Sequence, residues 1–270
     1  MTPETIATPT PVPTPLEIAP AKQLGPSTFP EPDELPYGWV PPPTNLPLED
    51  GEPVETNRHR MAMNTLIRSV QQAYSDRSDF FTGGNMFIYF SNQQVMNKDY
   101  RGPDFFVVLG TDGSYSRDAW IVWEEDGHYP DVIVELLSPS TAQQDFGIKK
   151  DIYEQTFRTP DYFVFDPYNP DSLQGWHLSD RHYQTLVPDE RGWLWCESLG
   201  FWLGTWNGTI DCHPGIWLRF YDPAGNLVLL PEEAAQQQAK QAQQEAEQER
   251  QLREDLLAKL RARGIDPDTL

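Results

Sequence analysis

The stretch Pro130-Asp131-Val132-Ile133-Val134-Glu135-Leu136-Leu137-Ser138-Pro139-Ser140-Thr141 decides how the chain is read. Its Val, Ile and Leu run, ended by a Ser-Pro turn signal, predicts a central strand from Asp131 to Leu137. Glu135 lies inside that run. A carboxylate buried among aliphatic side chains is unfavourable unless it meets a proton, a cationic partner or a metal ion. Residues two apart share a strand face, so Asp131, Ile133, Glu135 and Leu137 point one way. Asp131 and Glu135 are then roughly 13 Å apart, at about 3.3 Å per residue, which is too far to hold one ion jointly. Asp131 therefore reads as a strand-start residue, and a second carboxylate must come from elsewhere.

The neighbouring candidate is Asp104, in Gly102-Pro103-Asp104-Phe105-Phe106-Val107-Val108-Leu109. A strand beside the first would bring its side chain within about 5 Å across the ladder. Paired carboxylates of this kind suit Mg²⁺ (or Mn²⁺), which binds one or two carboxylates and keeps water for a phosphate substrate. Downstream, a helix is predicted from Phe146 to Phe157. At about 100° per residue, Phe146, Ile148, Ile152, Tyr153 and Phe157 form its apolar face, with Lys149 near the centre and Lys150 off to the side. An inward lysine needs an anionic partner, and the Glu135 strand would supply it. Asp145 and the serines Ser138 and Ser140 read as cap and turn residues. Tyr153, one turn beyond Lys149, reads as a packing residue that steers the lysine.

Outward from this centre, the first 48 residues carry proline runs such as TPTPVPTP and are expected to form an extended, disordered leader. A folded domain is expected over 49–230, and a helical tail with a weak coiled-coil pattern over 231–270. A first helix is predicted from Asn57 to Tyr74, with Met61, Leu66, Ile67, Val70 and Tyr74 on its apolar face. FFTGGNMFIYF and WIVW are strand-like, and DYFVFDP is a strand ending in a proline turn. WHLSD, HYQTLV, WLWCES, FWLGTW, WLRFYD and NLVLL read as further short strands. The fold class is α/β (α+β), a mixed central sheet flanked by helices.

Nine tryptophans and 12% aromatic residues would be hard to leave in water, so the middle of the chain must fold. The net charge of −21 argues against tight binding to nucleic acid. Residues 1–50 hold seven acidic and one basic group, and residues 231–270 hold nine and six, so about −12 falls on the middle of the chain. Two cysteines, Cys196 and Cys212, make no disulfide framework, and no apolar run approaches the roughly 20 residues of a membrane span. A cytoplasmic protein with no membrane partner is expected. Cys196, Cys212 and His213 lack the paired spacing of a zinc site.

Taken in order, RGPDFFVV with Asp104, PDVIVELLSPST with Glu135, DFGIKK followed by Tyr153, and PDYFVFDP ending at Asp166 resemble the Uma-type restriction endonuclease family of the PD-(D/E)XK nuclease superfamily. The resemblance covers about residues 50–210. It implies a restriction endonuclease-like fold, a Mg²⁺-dependent endonuclease acting on DNA, Asp104 and Glu135 as metal ligands, and Lys149 as the catalytic lysine. In the superfamily pattern the lysine lies two residues after the strand carboxylate, where this chain has Leu137, so the lysine has moved to the helix. A first-helix acidic ligand would fall near Glu55, with His59 close by as a further candidate beside Lys150 and Tyr153. A homodimer is also expected. Two alternatives stay open: Glu135 and Lys149 as a structural ion pair without metal, and an inactive nuclease-fold binding module.

Overall fold

The computed structural model describes residues 56–91, 102–138 and 142–263. The proline-rich leader and Glu55 lie outside the described residues. The chain opens with α1 (Asn57–Ala73), whose N-cap Thr56 accepts a hydrogen bond from the His59 backbone N–H. Then come β1 (Phe80–Gly83), β2 (Ile88–Tyr89), β3 (Phe105–Leu109), β4 (Trp120–Ile121) and β5 (Val132–Leu136). A helical segment spanning 142–157, α2, leads to β6 (Asp161–Asp166), β7 (Asn169–Ser179), β8 (His182–Thr185), β9 (Leu194–Cys196), β10 (Phe201–Ile210) and β11 (His213–Tyr221). The long helix α3 (Pro231–Ala262) follows.

Six strands form the central sheet in the order β1-β3-β5-β6-β7-β8. Only β5 and β6 run parallel, and α2 is the crossover between them. The other pairings are antiparallel, so the sheet is mixed. Both of its faces are covered, which is why β3, β5 and β6 read as nearly unbroken apolar runs. Phe105, Val107, Val132, Val134 and Leu136 face Met61, Leu66 and Val70 of α1 and Leu203, Trp217 and Phe220 of the smaller β9–β11 sheet. Phe106, Val108, Ile133 and Leu137 face the other way, against Tyr153 and Phe157 of α2 and Trp120. Each such large side chain, fully removed from water, stabilises the fold by about 1.5–3 kcal/mol.

Asp131 is the strand-start residue that its position predicts: its Oδ2 accepts the Leu109 N–H at 2.7 Å and locks β3 to the head of β5. Two predicted elements need correction. NLVLL is not a strand: Tyr221 and Leu227 form a single bridge, and the Val228 N–H bonds to Phe220 at 2.9 Å. The Phe146–Phe157 helix is not a regular α-helix. It contains wide π-type turns at Asp145–Lys149 and Tyr153–Phe157, and Gly147 leaves helical geometry at φ −111°, ψ −106°. This irregularity rotates the predicted apolar face out of register, leaving Phe146 40% and Ile148 62% exposed.

Candidate functional site

Glu135 sits on the α2 side of β5 between Ile133 and Leu137, with no exposure to solvent. The antiparallel register pairs Phe105 with Val134. One residue further along, Asp104 comes opposite Glu135, on the same face of the sheet. Asp104 is 6% exposed, and its Oδ2 accepts the Leu136 N–H at 2.6 Å, so it is fixed to the strand that carries Glu135. The adjacency read from the sequence is therefore present. Leu137, where the superfamily pattern would place a lysine, is a buried apolar residue in the layer beneath α2.

Lys149 reaches down from α2 and sets its ammonium 3.1 Å from Glu135 Oε2 and 2.8 Å from Asp145 Oδ1. Its inward direction agrees with the sequence reading, although the helix that delivers it is irregular. Asp145 corrects that reading. Rather than capping the helix at its N-terminus, it lies inside it, 1% exposed, one turn before Lys149. An acidic residue four positions before an inward lysine was the available signal, since such spacing brings two side chains together.

Tyr153 also differs from expectation: its hydroxyl donates to Glu135 Oε1 at 2.7 Å, so it holds the carboxylate and not the lysine. Tyr162 donates to the Asp145 carbonyl at 2.8 Å and pins the turn to β6. Lys150 does not join the cluster; its ammonium lies 4.2 Å from the centre of the Trp176 ring. His59 is buried on the opposite face, with Nδ1 2.8 Å from Thr56 Oγ1 and Nε2 3.1 Å from the Leu137 carbonyl oxygen. That carbonyl only accepts, so Nε2 carries the proton. His59 fastens α1 to the end of β5, an anchoring contact and not a member of the cluster.

Electrostatically the cluster is lopsided. Three carboxylates, Asp104, Glu135 and Asp145, act on one ammonium. The Glu135 carboxyl is raised to about 8: burial is the largest cause, Asp104 and Asp145 add to it, and Lys149 and the Tyr153 hydrogen bond oppose it. Burial works to lower Lys149, yet Glu135, Asp145 and Asp104 outweigh it and hold the ammonium above its ordinary value, fully charged. Asp145 Oδ2 is buried and accepts no hydrogen bond, while Glu135 Oε2 and Asp145 Oδ1 meet Lys149 only as ion-pair contacts. Buried oxygens of this kind are rare in a settled structure and signal a missing proton or cation.

The donor set accommodates a divalent cation in a limited way. Among the described residues, no three His, Cys, Asp or Glu side chains converge to hold a metal between them. An ion would rest on Asp104 and Glu135 and complete its shell with water or phosphate oxygens, the usual habit of Mg²⁺. The excess of two negative charges at full ionisation matches such an ion. Cys196 and Cys212 make no such site: Cys196 is buried with its thiol 3.7 Å from Asp161, and Cys212 is exposed.

A mixed α/β sheet with buried carboxylates on adjacent strands and a lysine delivered from the crossover helix defines a protein of nuclease-like design. Comparison with known families agrees. Residues 29–208 match the Uma2 family, described as "Putative restriction endonuclease", and the chain belongs to that family. Among solved structures, a nuclease-described protein from Anabaena variabilis matches with a TM-score of 0.36 and 15% identity, over 51% of this chain and 74% of that one. A likeness at that level carries no weight for the fold, which rests on the topology above. No curated protein matches the chain. Among the described residues, no helix is long and apolar enough to cross a membrane.

Proposed function

We propose that the protein is a Mg²⁺-dependent endonuclease that hydrolyses DNA phosphodiester bonds at the Asp104, Glu135 and Lys149 site. The observation that supports this reading above others is the surplus of buried carboxylate around one lysine, with Asp145 Oδ2 left without a partner. Asp104 and Glu135 would hold the ion, and Mn²⁺ would fit the same oxygens. Bound there, the cation supplies Lewis-acid polarisation of the scissile phosphate and a water of lowered pKa. Lys149, kept charged by its carboxylate neighbours, stabilises negative charge developing on the phosphoryl oxygens or orients the attacking water. Asp145 holds the lysine from one side, and the Tyr153 hydroxyl fixes Glu135 by its hydrogen bond to Oε1.

A second reading is a binding or interaction module that keeps the fold without the chemistry. It is favoured by the acidity of the chain and by the Glu135–Lys149 contact, which satisfies a structural ion pair. Two measurements separate the readings. Glu135→Ala should abolish Mg²⁺-dependent cleavage of DNA while circular dichroism stays that of the native fold; cleavage equal to wild type sinks the assignment. Calorimetric titration with Mg²⁺ or Mn²⁺ should show binding that Glu135→Ala removes, whereas a module would take up no ion at these carboxylates.

A further inference from the structure

The helix α3 contains no buried residue over its 32 residues. Among the described residues its ion pairs to the rest of the fold lie at its base: Glu232 pairs with Arg68, and Glu233 with Arg219. From Ala235 to Leu256 every side chain is exposed, including Leu252 at 72% and Leu256 at 58%. A helix this long draws little stability from propensity and intrahelical pairs alone and ordinarily covers an apolar face.

Ala235, Ala239, Ala242, Ala246, Glu249, Arg253, Leu256 and Leu260 recur at alternating intervals of four and three, the seam of a coiled coil. The two charged residues in that seam look like a defect when one helix is considered alone. They become a match when two copies run antiparallel about the level of Gln251. Glu249 then faces the partner's Arg253 and Arg253 faces the partner's Glu249. The same alignment sets Ala246 against the partner's Leu256 and Ala242 against the partner's Leu260, so each of these layers joins a small residue to a large one or an acid to a base. On one flank, Leu252 meets its own counterpart across the twofold axis, and Glu245 comes opposite the partner's Lys259. On the other flank Arg250 approaches its counterpart, with its charge already met within its own helix by Glu247 at 2.9 Å and Glu254 at 4.0 Å.

A parallel pair does worse where it matters most. It would bury Glu249 against Glu249 and Arg253 against Arg253 in the seam, and like charges there are repulsive and desolvated. A polar pair in a coiled-coil seam lowers stability but fixes orientation and register. We infer that α3 is a self-association helix that pairs with a second copy of this chain in antiparallel orientation, centred on Gln251, with Glu249 and Arg253 setting the direction. At 1.5 Å per residue the twofold axis lies roughly 30 Å beyond Pro231, so the two folded bodies sit at opposite ends of the rod, roughly 60 Å apart. This pairing is independent of the nuclease reading and holds even if the site binds no metal.

The experiment uses the full chain. Sedimentation equilibrium should show a dimer. Glu249→Arg sets Arg against Arg across the seam and should weaken dimerisation about tenfold or more, and adding Arg253→Glu should restore it. In a Cys212→Ser background, Ala246→Cys mixed with Leu256→Cys should give a disulfide-linked dimer under mild oxidation, while neither variant alone should. A monomer at every attainable concentration overturns the pairing. So does self-linking by either single-cysteine variant, or the absence of rescue by the charge swap, each of which would mean a different orientation.

Discussion

Two buried ionic clusters in this molecule are built on opposite plans. At the base of α3, Arg219 has no exposed side-chain surface; its Nη1 and Nη2 donate to the two Glu233 oxygens at 3.1 and 2.6 Å, and Nη2 also donates to the Val228 carbonyl. One cation meets one anion, in the forked geometry that strengthens such pairs. Glu233 adds a capping bond by accepting the Leu230 N–H at 2.8 Å. Beneath α2, one ammonium is shared between carboxylates and a carboxylate oxygen is left over. The first plan is what folding stability selects. The second lowers stability and is retained where it has a use, since buried like charges repel and desolvation is uncompensated.

Substitution at the lopsided cluster should have the largest effect. Glu135→Gln keeps the side-chain volume and removes one of the two carboxylates that would hold the ion. DNA cleavage with Mg²⁺ should fall by about 10²–10³-fold or more, in the range seen when a preorganised charge is lost at a reacting centre. Thermal unfolding of the metal-free protein should be unchanged or shifted upward. A large drop in stability would mean that Glu135 serves the fold as Glu233 does. The mirror experiment is Glu233→Ala. It strands a fully buried guanidinium and should destabilise the protein by about 3 kcal/mol, read as a shift in the denaturation midpoint, without changing cleavage per folded molecule.

Some of this contrast was legible in the sequence. The alternation of Ile133, Glu135 and Leu137 and the facing Pro103-Asp104 pair were enough to place two carboxylates side by side, because strand geometry has a fixed period and register follows from the covered faces. Lys149 was found by a helical-wheel argument that gave the right direction on a helix of the wrong form. The same helical period would bury Phe146 and Ile148, whereas both are exposed. The reason is physical: a glycine at 147 permits a backbone excursion inside the Asp145–Lys149 turn that no hydrophobic period encodes. Asp145 escapes the pattern for a different reason: a polar residue near a helix start ordinarily caps it. The forked Arg219–Glu233 pair joins residues from a strand and a distant helix, and nothing in the local pattern announces it.

Tyr153 sharpens the comparison at intermediate strength. Its hydroxyl donates to Glu135 Oε1, and that bond holds the carboxylate toward its charged form. Tyr153→Phe removes the bond without opening a cavity. Apparent Mg²⁺ affinity should weaken about 10–100-fold, the usual effect of losing a partner that orients a ligand, while cleavage at saturating metal recovers most of its wild-type rate. If the rate stays low at saturation, Tyr153 has a direct role in the chemistry.

The smallest effect concerns the balanced cluster and its response to acid. Burial works to raise Glu233, but the Arg219 hydrogen bond and the Leu230 N–H prevail and hold its carboxyl below the usual glutamate value of 4.5. A carboxyl lowered on folding binds fewer protons in the folded state, so its contribution is fully present above 4.5 and is lost as the pH falls through its lowered value. Acidification from pH 5 to pH 3 should therefore loosen the base of α3 in the wild type. Protection against hydrogen exchange at Ala234 and Ala235, relative to the intrinsic rate at each pH, should fall there. Glu233→Gln, which no longer titrates, should show accelerated exchange at pH 5 already and less further change on acidification. Equal acid sensitivity in both proteins would shift the cause from the Arg219–Glu233 fork to the Arg68–Glu232 pair beside it, which is exposed and therefore the weaker anchor.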